Sequence, residues 1–263
     1  MNVAGILLDL EGVLYQEDTA ILDAVVAVGR LADLGLALRC LTNTTTQPRE
    51  AIAARLKDMG FGLDAKHVVS PTVAAAHLLR HENIRRVHLA AAQELAADLR
   101  DFQLVDDDPE AVILGDLHQD FTWDRLNGLF QMVQQGAWLI ALHKNRYCRR
   151  EREIALDLGP FVAALDYAGN VTADIVGKPS RAFFNLALDD LGLTAHETLM
   201  VGDDLEVDIG GAQAVGMHTI QVKTGKFRPK DLDHPSIQPD QRIESIAALP
   251  DVLDAVSHVV SNG

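Results

Sequence analysis

The sequence predicts an α/β protein with a mainly parallel sheet, and three observations support this fold class. Short apolar runs alternate along the chain with longer stretches whose apolar residues recur at helical spacing, as in successive β-α units. Acidic or hydroxyl-bearing residues directly follow several of these runs, where the carboxyl ends of parallel strands would lie. The length of 263 residues lies between one large domain and two ordinary ones, and we expect two domains.

The first third of the chain fits this pattern with three strands and two helices. We predict strands at residues 3–8, 36–42 and 67–69, and helices at 20–34 and from Pro48 onward. Pro48 suits the first position of a helix, where a backbone N–H would have no partner in any case. Ile52, Leu56 and Met59 form one apolar face of this second helix, and Gly60 ends it.

The remaining two thirds continue the alternation. In the middle we predict strands at 87–90, 111–115 and 137–142 and helices at 92–100 and 121–135, which we expect to form a separate small sheet. In the last third we predict strands at 171–176, 198–202 and 218–222 and helices at 179–191, 205–215 and 244–258.

Composition excludes several classes of function. The formal net charge of -15 argues against binding to nucleic acid or to an anionic membrane, because phosphate backbones require a basic surface. No apolar run approaches the roughly 18 residues of a membrane span, and Asp9 and Glu11 interrupt the first run, so we expect neither a membrane partner nor a signal peptide. Cys40 and Cys148 are the only cysteines, which suits a reducing cytoplasm.

Four predicted strand ends carry side chains that could take part in catalysis or ligand binding. They are Asp9 with Glu11, Thr42 with Asn43, Lys178 after "IVG", and the acids of "VGDDLEVD", which are Asp203, Asp204 and Asp208. Because the carboxyl ends of parallel strands share one edge of a sheet, these side chains can converge. Taken singly, each has a structural interpretation: an acid caps a helix, "TNTTT" forms a turn, and a lysine lies in solvent.

Taken together, these side chains predict phosphoryl-transfer chemistry. Carboxylates at one sheet edge repel each other, and Mg²⁺ is the usual ion that neutralises them. A lysine and a hydroxyl at neighbouring strand ends are the donors that a phosphoryl group would still need. An aspartate can itself attack phosphorus and form an aspartyl-phosphate that water then hydrolyses.

The same residues, in this order, resemble the motifs of the haloacid dehalogenase superfamily. "DLEGVLY" (9–15), "LTN" (41–43), "VGKP" (176–179) and "VGDDLEVDIGGA" (201–212) are similar to its four motifs. The long segment between the second and third motifs resembles the α/β cap of subclass IIA, the NagD-type phosphatases. "IALHKNRY", "GPFVAALDYA" and "VKTGK" give a narrower similarity to the phospholysine phosphohistidine inorganic pyrophosphate phosphatase group.

The resemblance implies a fold and a set of metal ligands. The fold would be a Rossmann-like, doubly wound parallel-sheet core at residues 1–72 and 175–263, with a C2-type α/β cap at 73–174 inserted into it. Asp9 would be the nucleophile and a ligand of Mg²⁺, the backbone carbonyl of Glu11 a second ligand, and Asp203 a third. Asp208 would complete the metal site by positioning a metal-bound water, and Asp204 has no assigned role.

The resemblance also implies how the substrate is held. Thr42, with Asn43, would bind the oxygens of the transferring phosphoryl group, and Lys178 would neutralise their charge and that of Asp9. Glu11 departs from the superfamily pattern, because most phosphatases of this kind have aspartate there as the general acid and base. The additional methylene moves the carboxylate by roughly 1 Å, a misplacement that can cost about a hundredfold in rate. Either turnover is slow, or the backbone adjusts and Glu11 performs the proton transfers.

The predicted cap contains one basic segment, "HKNRYCRRERE" (143–153), in an otherwise acidic protein. His143, Asn145 and Arg146 are its candidates for contact with a phosphorylated substrate, and the alternative is a basic surface loop without a ligand. Caps of this subclass commonly mediate dimerisation, so the resemblance also implies a homodimer through the cap.

The sequence therefore predicts a Mg²⁺-dependent phosphohydrolase that acts on a small phosphorylated compound. Pyrophosphate, a phosphorylated amino acid and a small phosphomonoester all fit. Three alternatives stay open: a haloacid dehalogenase, a phosphate-binding regulatory protein with little turnover, and a response-regulator receiver. The receiver fold is too short for this chain, and the acids near residue 203 favour a metal over dehalogenation.

Overall fold

The structure is a computed structural model that describes residues 3–150 and 153–260 of the chain. It divides into two units, which we call the core unit (Met1–Thr42, Glu50–Val69 and Lys178–Gly263) and the cap unit (Asn43–Arg49 and Ser70–Gly177). The predicted cap limits at residues 73 and 174 stay predictions. Both units are α/β with parallel sheets, which confirms the predicted fold class.

The strands, in chain order, are β1 (Gly5–Asp9), β2 (Tyr15–Gln16), β3 (Thr19–Ala20), β4 (Ala37–Leu41), β5 (Val68–Val69), β6 (Arg86–Ala90), β7 (Gln103–Leu104), β8 (Ala111–Leu114), β9 (Trp138–Ala141), β10 (Tyr147–Arg150), β11 (Glu153–Leu156), β12 (Asp174–Ile175), β13 (Thr198–Gly202), β14 (His218–Val222) and β15 (Gln241–Ile243). The α-helices are α1 (Ala24–Asp33), α2 (Arg49–Asp58), α3 (Pro71–His81), α4 (Trp123–Gln134), α5 (Leu158–Gly169), α6 (Arg181–Leu191), α7 (Gly211–Val215) and α8 (Leu249–Val260).

The core unit is built on a six-stranded parallel sheet in the order β15-β14-β13-β1-β4-β5. From β1 the chain moves outward through β4 and β5, and it returns on the other side of β1 with β13, β14 and β15. The strand order therefore reverses beside β1. In doubly wound sheets, this reversal opens a crevice at the carboxyl ends of the two strands that flank it, and ligands bind there.

Burial explains why β1 and β13 form the centre of this sheet. Every residue of "GILLD" and of "TLMVG" is buried, as expected for strands that are covered on both faces. Helix α1 packs against the sheet with Ala24, Ala27, Val28 and Leu31, which recur at helical spacing on one face. Each fully buried leucine of this kind contributes about 1.5–3 kcal/mol through the hydrophobic effect.

The cap unit has its own five-stranded parallel sheet, in the order β12-β9-β8-β6-β7, and its own apolar core. Leu114 and Leu139 of the sheet pack in one cluster with Leu158 and Val162 of α5. After β9 in the chain, β10 and β11 form a separate antiparallel hairpin, in which Tyr147 pairs with Leu156. The separate small sheet predicted from the middle third of the chain is therefore present.

Several predicted helices take a different form in the structure. Residues Gln93–Leu99 form a 3₁₀-helix instead of the α-helix predicted at 92–100. The helix predicted at 205–215 begins as a π-helical turn at Leu205–Gly210 and continues as α7, and the one predicted at 244–258 begins with a 3₁₀ turn at Ile246–Ala248. The π-helical turn follows Asp204, whose carbonyl accepts from Ile209 N (3.3 Å), five residues ahead.

Two α-helices of the cap were not predicted, α3 and α5. Helix α3 carries a start signal, because Ser70 accepts a hydrogen bond from Val73 N and Pro71 occupies the first turn. Helix α5 starts in the same way at Asp157, which accepts from Leu158 N. Within the described residues, no helix has both the length and the apolar character that a membrane span requires.

Candidate active site

The carboxyl edge of the core sheet collects the predicted site residues. Asp9 ends β1, Thr42 follows β4, and Asp203 follows β13, and these three strands are neighbours in the sheet. Lys178 lies shortly before α6, and Asp208 lies in the π-helical turn after Asp203. All five residues are buried. Side chains that lie far apart in the sequence come together here because the carboxyl ends of parallel strands share one edge of the sheet, which we call the strand-end rule.

Lys178 joins two of the carboxylates. Its Nζ donates to Asp9 Oδ1 (2.5 Å) and to Asp208 Oδ1 (2.7 Å), and it also donates to the carbonyl of Leu41 (3.3 Å). The side chain is only 3% exposed. Burial by itself would lower the pKa of Lys178, but the carboxylates of Asp208 and Asp9 raise it above the ordinary value, so the ammonium stays charged.

The three aspartates form an acidic cluster that one lysine does not neutralise. Asp9, Asp203 and Asp208 each offer an oxygen, and these atoms lie within 4.8 Å of one another. Burial, followed by the charge of Asp208, raises the pKa of Asp9 to about 6 in spite of Lys178. Burial, followed by the charges of Asp9 and Asp208, raises the pKa of Asp203 to about 8. A further cation would therefore be favourable here.

Asp203 has the oxygen best placed to receive such a cation. Its Oδ2 accepts from the backbone N–H of Lys226 (2.6 Å), whereas its buried Oδ1 has no hydrogen-bond partner in the part of the chain that the structure describes. Leaving a buried polar atom unpaired costs about 1–3 kcal/mol. Carboxylate oxygens at this spacing suit a hard divalent cation, so the residues present fit a metal site.

Asp208 and Asp204 are already committed to local hydrogen bonds. Asp208 Oδ1 accepts from Lys178, and its Oδ2 accepts from the N–H of Asp204 (3.1 Å). Asp204 Oδ1 accepts from the backbone N–H groups of Glu206 and Val207, which makes it the N-cap of the turn that holds Asp208. Asp204 therefore caps this turn, which is the structural interpretation that the sequence allowed for Asp203 or Asp204.

Glu11 lies in the turn that follows β1, and its side chain is exposed, unlike those of the other acids. Gly12, next to it, has φ +91°, and its N–H donates to the carbonyl of Tyr15 (2.7 Å) to close the turn. An L-residue rarely adopts this backbone conformation, so glycine is required at this position. The turn leaves Glu11 exposed to solvent.

Thr42 and Asn43 are consecutive but belong to different units. Thr42 is buried, and its N–H donates to the carbonyl of Val69 (3.1 Å), which extends the pairing of β4 with β5. Asn43 begins the cap unit, where its Oδ1 lies close to Gly177: a Cβ at that glycine would be 2.9 Å away. The binding of a phosphoryl group by Thr42 and Asn43 stays a prediction.

The three cap candidates differ in exposure. His143 is 5% exposed, its Nδ1 accepts from the N–H of Asn145 (3.3 Å), and its Nε2 lies 3.8 Å from Asp157 Oδ1. Burial lowers the pKa of His143, although Asp157 and Asp116 oppose this effect. Asn145 and Arg146 are exposed. His143 therefore supports the loop, and Asn145 and Arg146 are the two candidates open to a ligand. Residues 151 and 152 of the predicted basic segment lie outside the described residues.

One group of site residues was missed from the sequence. The loop after β14 brings Thr224, Gly225 and Lys226 to Asp203 and Gly12. "VKTGK" contributed only to the resemblance, yet it follows an apolar run of the same sheet. Applying the strand-end rule to β14 as well would have found it.

Comparisons with known proteins agree with this geometry. A family model described as haloacid dehalogenase-like hydrolase matches residues 6–105, and a second, described as HAD-hydrolase-like, matches residues 175–249. The phospholysine phosphohistidine inorganic pyrophosphate phosphatase of Danio rerio is 39% identical over 259 residues, covering 96% of this chain and 94% of that protein.

Two solved structures illustrate the likeness in fold. NagD from E. coli K-12 has a TM-score of 0.84 and is 26% identical, with 94% of this chain and 98% of that chain covered. A glycerol phosphate phosphatase from Mycobacterium tuberculosis, in complex with magnesium, has a TM-score of 0.80 and is 27% identical, with 94% of this chain and 76% of that chain covered. Both likenesses confirm the predicted doubly wound core with its inserted cap.

Proposed function

The chain belongs to the haloacid dehalogenase-like hydrolases of the NagD-like subclass IIA, and from this premise we propose that it is a Mg²⁺-dependent phosphohydrolase. It acts on a small phosphorylated compound or on pyrophosphate through an aspartyl-phosphate intermediate. The proposal draws support from the name of the Danio rerio relative, which is a phosphatase, and from the similarity along 96% of the chain.

A single observation carries the proposal. The buried ammonium of Lys178 lies between Asp9 and Asp208, where the strand order of the core sheet reverses. Asp203 offers an oxygen within 4.8 Å of theirs, and its Oδ1 has no hydrogen-bond partner among the described residues. A structural ion pair would need one carboxylate for one lysine, because unneutralised buried acids are costly. The excess of acid is understandable if the site holds a cation and a phosphoryl group.

In this proposal, Asp9, Asp203 and the backbone carbonyl of Glu11 hold Mg²⁺, and Asp208 completes the site by fixing Lys178 and positioning a water. The bound ion would neutralise the acidic cluster and the oxygens of the phosphoryl group. The related glycerol phosphate phosphatase was solved in complex with magnesium, which supports the choice of ion.

The chain's own residues then perform two proton-coupled displacements. An oxygen of the Asp9 carboxylate attacks phosphorus, the bond to the leaving-group oxygen breaks, and the leaving group takes a proton from Glu11. Glu11 next removes a proton from water, the water oxygen attacks phosphorus, and the bond to Asp9 breaks. Inorganic phosphate leaves and the carboxylate is restored. The exposure of Glu11 supports this role, since its proton must exchange with solvent.

Binding of the phosphoryl group falls to donors at the strand ends. Lys178 offers a fixed positive charge, and we assign the phosphoryl oxygens to Thr42 with Asn43. In the cap unit, we assign the rest of the substrate to Asn145 and Arg146, with His143 fixing their loop through its hydrogen bond to the Asn145 N–H.

Oligomeric state and location complete the proposal. We assign a homodimer formed through the cap, and the exposed Tyr147, Ile154 and Leu156 of the β10-β11 hairpin support it, because exposed apolar groups on one element favour an interface. We also place the protein in the cytoplasm, which suits its two free cysteines.

The test is phosphate release from pyrophosphate, p-nitrophenyl phosphate and a panel of small phosphomonoesters, in Mg²⁺ and in chelator. We expect release to require Mg²⁺ and to disappear in Asp9→Asn, while Asp58→Asn, at an exposed position, behaves as wild type. Release that persists in Asp9→Asn would contradict the proposal.

A Glu11→Asp variant separates the enzyme from a phosphate-binding protein with little turnover, the second candidate that Glu11 favours. If the longer side chain slows proton transfer, the variant should raise kcat by up to about a hundredfold with little change in KM. If wild type and Glu11→Asp both bind phosphate in the presence of Mg²⁺ and neither turns substrate over, the result would favour the phosphate-binding protein over the enzyme.

A further inference from the structure

The loop that follows β14, residues 223–227, reaches across the edge of the core sheet. Strand β13 lies between β14 and β1, so the loop passes over the end of β13, where Asp203 is located. At its far side, Thr224 Oγ1 donates to the carbonyl of Gly12, in the turn after β1. The loop and this turn therefore enclose Asp203 between them.

Two glycines make that enclosure possible. Gly12 has φ +91° and Gly225 has φ +61°, and a Cβ added at either position would overlap Asp203 Oδ2. A Cβ at Gly225 would also come within 2.6 Å of Gly12 Cα. The backbones of the two turns thus press on the same carboxylate oxygen from two sides, which only residues without a side chain permit.

Hydrogen bonds fix the orientation of Asp203 inside the enclosure. The N–H of Lys226 donates to Oδ2 (2.6 Å), and the buried side chain of Gln221 donates through Nε2 to the Asp203 carbonyl (3.3 Å). Oδ2 is thereby occupied, and Oδ1 is the oxygen without a hydrogen-bond partner among the described residues. The carboxylate cannot rotate to exchange the two oxygens without breaking the bond to Lys226.

We propose that the 223–227 loop is a positioning element that holds Asp203 with Oδ1 free as a ligand, and that it thereby sets the affinity of the site for a divalent cation. The inference rests on the proposed function, because it needs a cation site at Asp9, Asp203 and Asp208. Partners that orient a metal ligand commonly change metal affinity by about 10- to 100-fold when they are removed.

The Lys226 side chain allows the geometry of the loop to be separated from its charge. This side chain is 65% exposed, and its Nζ lies 3.5 Å from Asp204 Oδ2. A positive charge beside the acidic cluster repels an incoming cation, so its removal should strengthen cation binding slightly. The backbone N–H that holds Asp203 is present whatever the side chain. Disturbing the loop backbone should therefore weaken cation binding, whereas removing the Lys226 charge should not weaken it.

The experiment measures the Kd for Mg²⁺ by calorimetry, and the Mg²⁺-induced rise in Tm, for Gly225→Ala and Gly192→Ala. Gly192 is the matched control because it has φ +67° and open space around it, so alanine there brings the same backbone strain without touching the site. We expect Gly225→Ala to raise the Kd about 10- to 100-fold and Gly192→Ala to leave it within twofold of wild type.

Two further variants keep the inference testable if Gly225→Ala does not fold. Thr224→Val removes the hydroxyl bond to Gly12 and nearly keeps the volume, and it should raise the Kd in the same direction. Lys226→Ala keeps the N–H and should leave the Kd unchanged or lower it. Equal Kd values for Gly225→Ala, Thr224→Val and wild type would overturn the inference. A rise in the Kd of Lys226→Ala as large as that of Gly225→Ala would overturn it as well.

The outcomes for wild type distinguish the two proposals. If wild type binds Mg²⁺ and the loop variants bind it equally well, the loop inference fails and the proposed function stands. If wild type binds no Mg²⁺ and also releases no phosphate, the proposed function fails and the loop inference fails with it.

Discussion

At the scale of single residues, the buried acidic cluster of Asp9, Asp203 and Asp208 lowers the stability of the folded protein when no cation is bound. Asp203 is 1% exposed, and its burial and the neighbouring acids raise its pKa to about 8. Without a cation, the folded protein must either protonate this carboxyl or tolerate its charge among Asp9 and Asp208. The site therefore gives up stability in the metal-free state and recovers it when a cation binds.

Asp203→Asn should reveal this conflict. In chelator at pH 8, we expect the variant to be more stable than wild type by about 1–3 kcal/mol, because the amide removes a buried charge while its oxygen still accepts from Lys226 N. Thermal unfolding with and without Mg²⁺ measures the effect, at about 2–4 °C per kcal/mol.

The same melts provide the control for this prediction. Wild type should gain Tm on addition of Mg²⁺, and Asp203→Asn should not. Asp58→Asn, at an exposed position, should follow wild type throughout. A lower Tm for Asp203→Asn in chelator would show that the carboxylate stabilises the fold, against the prediction.

Residue chemistry was predictable where it depends on strand ends. Asp9, Thr42 and Asp203 lie at the edge to which the sequence assigned them, because parallel strands leave no other position for the residues that follow them. The burial of His143 was not predictable, since it depends on packing in the cap, and "HKNRY" reads as a polar loop. The enclosure of Asp203 between Gly12 and Gly225 was not predictable either, because the two glycines lie in turns that are far apart in the sequence.

At the scale of elements, helix α5 makes a close backbone contact with the 143–146 loop of the cap unit. Gly159, near the start of α5, donates its N–H to the carbonyl of Asn145 (2.8 Å). A Cβ at Gly159 would lie 2.5 Å from that carbonyl oxygen and 2.7 Å from the one of Lys144. The helix therefore holds by its backbone the loop that presents Asn145 and Arg146.

Gly159→Ala should displace this loop. We expect it to destabilise the cap unit by about 1–3 kcal/mol through overpacking. In Gly128→Ala, within α4, the added Cβ meets no atom of the described residues within 4 Å beyond its own helix backbone. The variant should stabilise the cap by about 0.5–1 kcal/mol, since alanine favours a helix more than glycine does. Both tryptophans, Trp123 and Trp138, lie in the cap unit, so urea unfolding followed by their fluorescence measures this unit alone.

The direction of the two changes decides this prediction. If Gly159→Ala were as stable as Gly128→Ala, the close approach of α5 to the loop would not constrain the cap. The proposed substrate contacts at Asn145 and Arg146 would then lose their rigid support.

Elements with a clear period were predicted closely, and short or capped ones were not. Strands 198–202 and 218–222 match β13 and β14 residue for residue, because each is a buried run bounded by turn residues. Helix α5 was missed because "GPFVAALDYAG" contains both glycine and proline near its start, although Asp157 supplies an N-cap. The π-helical turn after Asp204 has no signature in a single sequence.

At the scale of the whole molecule, the chain interrupts one unit to build another. Residues 70–177 form a continuous segment with a complete five-stranded sheet and its own apolar cluster. The core unit, in contrast, takes its strands from both sides of this insertion. The segmentation was predictable in kind from the long stretch between the second and third motifs. Its limits were not, because no composition change marks them.

A fragment of residues 70–177 should therefore fold by itself. We expect a cooperative urea transition by tryptophan fluorescence, and amide resonances that superpose on those of the same residues in the full chain. Resonances collapsed into the narrow range of an unfolded chain would show that the cap depends on the core for its stability.

The strand order of the core also dictates a sequence of events during synthesis. Strand β1 requires β13 as its partner on one side, and β13 follows the entire cap segment in the chain. At about 5–20 residues per second, β1 waits about 10–40 s on the ribosome with that side unpaired. The cap unit can therefore fold before the core unit is complete. Until β13 is synthesised, the core exposes an unpaired apolar strand edge of the kind that molecular chaperones protect.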